Sequence, residues 1–225
     1  MNVEFDFISV LEQWPILLTG VSWTLGLTAI STFLGVLSGL SLAWVRVKKF
    51  SALNTFIKVY VELIRNTPFI VQLFFIFFGL PQLGLRLSPE VSSLLAMTIN
   101  LSAYSSEIIR AGIDSTPIGQ IQAGKSLGLS EFSVFFNIIL PPALFRVWPA
   151  LVAQIIIVML GSAVCGQIST EELSYAANLI QSRNFRGFES YIIAAVLYLV
   201  LAVVMRLLLN QVGKNLMFRG LLKNG

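Results

Sequence analysis

Long apolar runs separated by short charged segments constrain this sequence more than any other feature. Apolar residues make up 56% of the 225 residues and charged residues only 12%, about half the charge of a typical soluble domain. A hydrocarbon core of about 30 Å needs roughly 20 apolar residues in a helix. We therefore predict an all-α membrane protein with five transmembrane helices. The predicted spans cover residues 16–45, 53–80, 91–109, 146–166 and 191–209.

The basic residues predict the orientation of these spans. With the amino terminus outside, twelve Lys and Arg residues fall on the inner side and three on the outer side, which is the bias typical of cytoplasmic loops. Seven of the eleven acidic residues fall outside. We expect an outside N-terminal segment (1–15), a transmembrane domain (16–210) and a cytoplasmic tail (211–225), so that the loop at 114–142 is cytoplasmic.

The inventory of reactive side chains excludes several classes of function. Histidine is absent and the one cysteine, Cys165, lies in an apolar run, so no metal cluster, disulfide or Cys/His catalytic pair can form. Residues 119–126 fit the pattern G-x-x-x-x-G-K-[ST], but they fall inside the helix predicted over 117–127 and not on a loop between a strand and a helix, which a phosphate-binding loop requires. The net charge is +4, and the basic residues flank the apolar segments, which indicates membrane topology and not binding of nucleic acid. We predict no catalytic residue, metal or cofactor, and an external energy source for any uphill transport.

The polar stretch at 114–142 contains two helix signals. Thr116 is a good N-cap, and Pro117 suits the first helical position. Gly128 is placed to end this helix. Ser130 then caps a second helix, which is expected to stop before Pro141. The spacing predicts a short helix over 117–127 on a loop that docks another molecule.

This stretch resembles the cytoplasmic signature loop of bacterial ABC importer permeases, which reads Glu-Ala-Ala, three residues, Gly, nine residues, Ile-x-Leu-Pro. Two positions depart from it, since Gln122 replaces the Glu and Gly124 replaces the second Ala. Segments 60–81 and 103–120 resemble motifs of the polar amino acid uptake permeases. The positions that match the signature in register are Ala123, Gly128, Ile138, Leu140 and Pro141.

The resemblance implies a type I ABC importer permease in a bacterial cytoplasmic (inner) membrane. Its partners would be a dimer of ABC ATPase subunits, a second permease chain (identical or different), an extracytoplasmic solute-binding protein and the lipid bilayer. The short helix would be the coupling helix that sits in a cleft of the ATPase. We expect its docking surface to comprise Ile118, Ile121, Gln122, Ala123, Gly124, Leu127 and Gly128, with Ala123 and Gly124 letting a partner backbone come near.

Polar residues inside the predicted spans are candidates for a substrate pathway, because such residues are costly in lipid and often functional. The alternative for each is an interhelical hydrogen bond. Many relatives carry an Asn-Glu pair where this chain has Ala153-Gln154, and a missing carboxylate favours a neutral or acidic substrate over arginine or lysine. The candidates are Asn66, Asn100, Tyr104, Gln154 and Ser162.

Several smaller features carry structural predictions. Gly35 and Gly39 form a face on which another helix can pack closely, unless they merely reflect the abundance of glycine in membrane helices. Spacings of three and four residues predict the ion pairs Glu62–Arg65, Glu107–Arg110 and Arg110–Asp114. Outside, a helix with the body 173–180 is expected to be capped by Ser169 or Thr170, with Glu171 and Glu172 in its first turn.

We therefore expect a permease subunit that moves polar amino acids by alternating access, driven by a separate ATPase, and that is not an enzyme itself. One alternative is import of an amino-acid-like compound such as an opine. Others are an ion-coupled carrier or a passive channel, or a subunit whose sister permease holds the substrate.

Overall fold

The structure is a computed structural model that describes residues 5–47 and 51–221. The expectations for the remaining residues, including the basic pair Lys48 and Lys49, lie outside the described residues. Within the described ranges every regular element is helical. The α-helices are α1 (Ile8–Leu11), α2 (Trp14–Val47), α3 (Ser51–Arg65), α4 (Phe69–Phe74), α5 (Pro89–Asp114), α6 (Ile118–Ser126), α7 (Glu131–Val134), α8 (Leu140–Gly161), α9 (Leu173–Asn184) and α10 (Gly187–Leu221).

Helix α5 is the centre of the bundle and packs against α2, α3, α4 and α8. Its buried face combines apolar residues such as Met97 and Leu101 with five serines. Small residues allow the close approach of α2. A Cβ on Gly39 would lie 2.7 Å from the Ser105 Cβ, and one on Gly35 would lie 2.9 Å from the Leu101 Cβ. The prediction of a close-packing glycine face is confirmed, and α5 is its partner.

Three helical segments within the described residues are long and apolar enough to cross a membrane: Trp14–Val47, Glu131–Ile168 and Gly187–Asn215. A fourth candidate is the pair Ala52–Arg65 and Phe69–Leu83, which is bent by 109°. Helix α5 has 26 residues, about 39 Å at 1.5 Å per residue, but its serines make it less apolar. The all-helical membrane fold is confirmed, and the number of five spans stays a prediction.

The segment predicted as a single span over 53–80 is broken. Pro68 has an extended backbone, with φ −62° and ψ 139°, because its ring and missing N–H interrupt the helical ladder. Beyond the break, α4 continues as a π-helical turn (Phe75–Gly79) and a 3-10 turn (Leu80–Leu83). Pro68 therefore divides the predicted span into two helices that meet at a sharp corner.

Two details of the 114–142 loop differ from the expectation. Pro117 occupies the N-cap position, and the buried Thr116 hydroxyl has no hydrogen-bond partner among the residues that the structure describes, so the predicted Thr116 cap is wrong. The second helix does not stop before Pro141. It runs from α7 through a π-helical turn (Phe135–Ile139) into α8, and this irregular turn accommodates the ring and the missing N–H of Pro141.

The outer helix α9 also begins later than predicted. Glu172 is its N-cap, accepting from the backbone N–H groups of Ser174 and Tyr175, and Ser169 has a left-handed backbone instead. A 3-10 segment (Ser162–Ile168) joins α8 to this region. The last helix, α10, continues through the start of the predicted tail to Leu221.

Candidate coupling surface and substrate pathway

Helix α6 ends sharply at Gly128. This glycine has φ +74°, its N–H donates to the Lys125 carbonyl at 3.0 Å, and the Leu129 N–H donates to the Gly124 carbonyl at 3.2 Å. These two bonds form a Schellman motif, which favours glycine because the left-handed backbone crowds a Cβ. Ser130 then caps α7 by accepting from the Ser133 N–H at 3.2 Å. The predicted stop and restart of the chain are confirmed.

One face of α6 packs on its own chain. Gly124 is buried, and a Cβ there would overlap the Ile138 side chain. Ile121 packs on the apolar cluster that includes Phe135 and Ile139. The expectation that Gly124 lets a partner backbone come near is therefore wrong, because its open side is filled by Ile138 of the same chain. Gly124 and Ile121 instead fix α6 on the helix that follows it.

The opposite face of α6 is open. Ile118 and Leu127 expose 72% and 80% of their surfaces. Gln122, Ala123 and Gly128 are exposed as well. Large apolar side chains at both ends of a short polar helix form an uncovered surface of the kind that marks a contact with another molecule. We name Ile118, Gln122, Ala123 and Leu127 the α6 outer face.

An aromatic cluster of Trp44, Phe132, Phe135 and Phe136 lies in the segment that follows α6 and at the end of α2. The Phe132 and Phe136 rings have centroids 4.4 Å apart, and Trp44 lies against both of them and against Phe135. Trp44 belongs to the end of α2, so this cluster joins α2 to the hairpin that carries α6. Such ring contacts add stability beyond the burial of their area.

Charged side chains gather at the same end of the bundle, around Glu107 of α5. Its carboxylate contacts Arg46 of α2, Arg110 of α5 at 2.8 Å and Arg65 of α3 at 4.0 Å. Arg110 also contacts Asp114 at 2.6 Å. The predicted Glu107–Arg110 and Arg110–Asp114 pairs are confirmed. The Glu62–Arg65 pair is wrong, since Glu62 faces Lys58 at 3.9 Å and Arg65 faces Glu107.

The break between α3 and α4 is held by Gln72. Its amide nitrogen donates to the carbonyls of Ile64 and Thr67 at 2.7 and 3.0 Å, and its amide oxygen accepts from Asn100 at 3.0 Å. Asn100 therefore secures the broken span from α5. Tyr104 donates to the Arg65 carbonyl at 3.3 Å. Asn66, at the break itself, is exposed.

A small cavity of about 100 Å³ lies beside Asn100 and is lined by Phe69, Asn100, Ile157, Val158 and Gly161. Gln154 precedes Val158 by one turn on the same face of α8, and Tyr104 follows Asn100 by one turn on α5. Gln154 is nine-tenths buried and receives no hydrogen bond from the described residues.

Of the five pathway candidates, Asn100 lines this cavity, and Tyr104 and Gln154 each lie one helical turn from a lining residue. Gly112 of α5 packs on Ala143 of α8, while Asn100 meets Val158, so the two helices are antiparallel and Tyr104 lies level with Gln154. Asn66 and Ser162 are not part of this group. Ser162 is buried and donates to the Met159 carbonyl of its own helix at 2.6 Å.

At the other end of the bundle, Glu172 was missed as a structural centre. It is fully buried and accepts from the Ser174 and Tyr175 N–H groups at 2.9 and 2.8 Å and from the Tyr198 hydroxyl. Burial raises the pKa of its carboxyl, while these donors lower it. Nearby, the Ser9 N–H donates to Asp6 and lowers the pKa of that carboxyl. In the sequence, only the position of Glu172 directly before an apolar helix could have suggested a cap.

The described residues contain no group of three or more His, Cys, Asp or Glu side chains that could hold a metal. Around Asn100 the polar groups are amides and the Tyr104 hydroxyl, which can bind and orient a polar molecule.

Comparison with known proteins gives a consistent result. The sequence profile described as "Binding-protein-dependent transport system inner membrane component" matches residues 31–217. The L-cystine transport system permease protein TcyB of Bacillus subtilis (strain 168) is 37% identical over 205 residues, covering 90% of this chain and 87% of that protein. The glutamine transport system permease protein GlnP of Escherichia coli (strain K12) is 32% identical, with 95% and 99% covered.

Solved structures agree. An amino acid ABC transporter crystallised with histidines superposes with a TM-score of 0.85 at 35% identity, covering 95% of this chain and 100% of that chain. The inward-facing MetNI methionine ABC transporter superposes with a TM-score of 0.71 at 21% identity, covering 91% and 96%, and shows the shared fold.

Proposed function

Because this chain belongs to the family of binding-protein-dependent transport system inner-membrane components, we propose that it carries polar amino acids into the cell by alternating access. As a family member it is a multi-pass inner-membrane permease and not an enzyme. ATP is hydrolysed by a separate ATPase subunit, and an extracytoplasmic binding protein is a partner.

The observation that carries the proposal is the α6 outer face. The nine-residue helix α6 packs on its own chain through Gly124 and Ile121. Its other face exposes the side chains of Ile118 and Leu127. Because α6 is packed on its own chain, a partner that moves its exposed face moves α6 and the attached helices together, as in rigid-body transitions. The ATPase docks on this face, which places α6 in the cytoplasm, the amino terminus outside and the carboxyl terminus inside. A second permease chain, identical or different, completes the translocation unit.

The substrate is a polar amino acid that is neutral or acidic. The cavity beside Asn100 has no charged side chain among its lining residues, and Gln154 offers an amide where a cationic side chain would need a carboxylate. The amides of Asn100 and Gln154 and the hydroxyl of Tyr104 suit the α-amino and α-carboxyl groups. An opine is the second candidate, since the nopaline transport system permease protein NocM of Agrobacterium fabrum (strain C58 / ATCC 33970) is 33% identical.

Uptake by the reconstituted complex tests the proposal. The permease, its ATPase and its receptor are placed in proteoliposomes, with labelled L-glutamine, L-cystine, L-glutamate and L-arginine as probes. We expect vanadate-sensitive, receptor-dependent uptake of a neutral or acidic probe. Uptake by this chain alone, driven by an ion gradient, would instead establish a carrier. Preferential uptake of arginine would refute the substrate class.

The α6 outer face is tested by Leu127→Ser, with Leu83→Ser as the matched control. Leu83 exposes 75% of its surface, but it is the last residue of the 3-10 turn Leu80–Leu83 and precedes the start of α5, whereas α6 follows the end of α5. We expect Leu127→Ser to weaken copurification of the ATPase by about tenfold, because a buried apolar anchor at an interface contributes about 1–2 kcal/mol. Leu83→Ser should leave it unchanged. Equal effects of both changes would remove α6 from the docking surface.

A further inference from the structure

Glu107 is the point where the ends of three helices meet. Its carboxylate contacts Arg46, one residue before the end of α2, Arg65, the last residue of α3, and Arg110 of its own helix α5. The Glu107 side chain is 17% exposed. One negative charge thus faces three positive charges, and no other carboxylate in the described residues contacts Arg46 or Arg65.

The same group is attached to the start of α6. Arg110 contacts Asp114, the last residue of α5, at 2.6 Å. Arg146 of α8 donates to both the carbonyl and the hydroxyl of Ser115, each at 3.0 Å. The residues that lead into α6 are therefore held by α5 on one side and by α8 on the other, so a displacement of α6 pulls on both helices.

Arg65 extends the group toward the substrate pathway. It ends α3 immediately before the break, its carbonyl accepts from Tyr104, and its guanidinium lies 5.3 Å from the centre of the Tyr104 ring. A movement of Arg65 therefore reaches the Tyr104 ring and, through the corner held by Gln72, the neighbourhood of Asn100.

We propose that Glu107 is the positioning residue that makes the ends of α2 and α3 follow α6 when the ATPase moves it. This inference rests on the proposed function. Helices α5, α6 and α8 follow one another along the chain, whereas α2 and α3 meet the α5 charges through Arg46 and Arg65. Without Glu107 the helices keep their packing, including the Trp44 cluster and the Gly39 contact with α5, but Arg46 and Arg65 lose their charged link to α5, so less of a movement of α6 reaches the ends of α2 and α3.

The test is the number of substrate molecules taken up per ATP hydrolysed, measured in the same proteoliposomes with whichever probe the wild type transports. Glu107→Gln keeps the size of the side chain and removes its charge. We expect ATP hydrolysis within twofold of wild type and a fall of about fivefold or more in uptake per ATP, the size of a typical coupling between two sites. A residue that only stabilises the fold would lower both rates together.

Glu62→Gln is the matched control, because it makes the same change in a carboxylate whose one ion-pair partner among the described residues is Lys58, at 3.9 Å. It should leave uptake per ATP unchanged. Arg65→Gln removes the half-exposed guanidinium that contacts Glu107. It is the substitute test if the Glu107→Gln complex does not assemble. We expect it to lower uptake per ATP by at least about threefold.

Two outcomes overturn the inference. One is a Glu107→Gln complex whose uptake per ATP equals that of wild type. The other, where that variant does not assemble, is an Arg65→Gln complex with normal uptake per ATP. If the wild-type complex itself shows no receptor- and ATP-dependent uptake, it is the proposed function that fails, so the two failures are distinguishable.

Discussion

The two ends of the bundle each have a carboxylate at their centre, and the two carboxylates are held in opposite ways. Glu107 is partly exposed and faces three arginines. Glu172 is fully buried and accepts from two backbone N–H groups and a tyrosine hydroxyl, all of them neutral. The first arrangement draws on charges that reach across helices, and the second on short hydrogen bonds inside the protein.

The difference suits two mechanical roles. The more exposed members of the group, Arg65 at 43% and Asp114 at 59%, can exchange partners at small cost, since exposed ion pairs contribute only about 0–1 kcal/mol each. A buried acceptor that loses a donor has no water to replace it and costs about 1–3 kcal/mol. The Glu107 end can therefore rearrange while remaining attached, whereas the Glu172 end fixes α9 against α10. An uncovered α6 outer face at the first end fits this division.

The largest effect is expected from disrupting the close contact of α2 with α5 at Gly35 and Gly39, which we call the glycine seam. Gly39→Leu places a large side chain where even a Cβ would lie 2.7 Å from Ser105. We expect it to lower the free energy of unfolding by about 3 kcal/mol, because overpacking displaces the α5 backbone. The change is measured by thermal unfolding in detergent micelles, as the fraction of folded protein at each temperature.

Gly26→Leu is the control for the seam. It lies on the same helix, and a Cβ there meets nothing within 4 Å. Its unfolding midpoint should match wild type. If Gly39→Leu were equally harmless, then α2 and α5 would not be tightly joined, and the contrast between the two ends could not depend on a shared rigid seam.

A smaller loss is expected at the outer end from Tyr198→Phe. The change removes the hydroxyl that donates to Glu172 and leaves a buried acceptor with one donor fewer. We predict a loss of about 1–3 kcal/mol that is the same at 0.05 M and 1 M salt, as judged by thermal unfolding. Tyr191→Phe on the same helix removes an exposed hydroxyl that meets Asn178 at only 3.5 Å. A comparable loss from Tyr191→Phe would show that the buried Tyr198–Glu172 bond contributes no more to stability than an exposed hydroxyl does.

Much of this molecule could be predicted from its sequence, and the misses have a common cause. The apolar run at 16–45 and the polar helix at 117–127 became Trp14–Val47 and Ile118–Ser126, since periodicity and capping act locally. Spacing along a helix identified Arg110 as a partner of Glu107 but could not find Arg46, which lies 61 residues earlier. The same spacing rule predicted a Glu62–Arg65 pair. It failed because Arg65 contacts Glu107 on another helix, and spacing within one helix gives no information about such a contact.

Local rules failed in the same way at the helix ends. Thr116 and Thr170 are good caps by type, yet Pro117 and Glu172 hold those positions, since tertiary packing decides which side chain can reach the free N–H groups. The π-helical turn Phe135–Ile139 allows the helix to continue through Pro141, and no residue pattern in the sequence predicts this turn. The α6 docking residues, the pathway residues and the number of spans stay predictions, because each depends on a partner or a bilayer.

The smallest effect should come from Asp114→Asn at the inner end, and it sharpens the contrast through salt. The Asp114 carboxylate meets Arg110 at 2.6 Å but its side chain is 59% exposed, so removing its charge should lower the free energy of unfolding by about 0.5 kcal/mol at low salt. At 1 M salt the screening length falls to about 3 Å, and the loss should vanish. Tyr198→Phe, measured in the same series, should keep its loss. If the Asp114→Asn loss persists in 1 M salt, then the inner end is held by desolvated contacts after all, and the two ends differ in composition but not in mechanics.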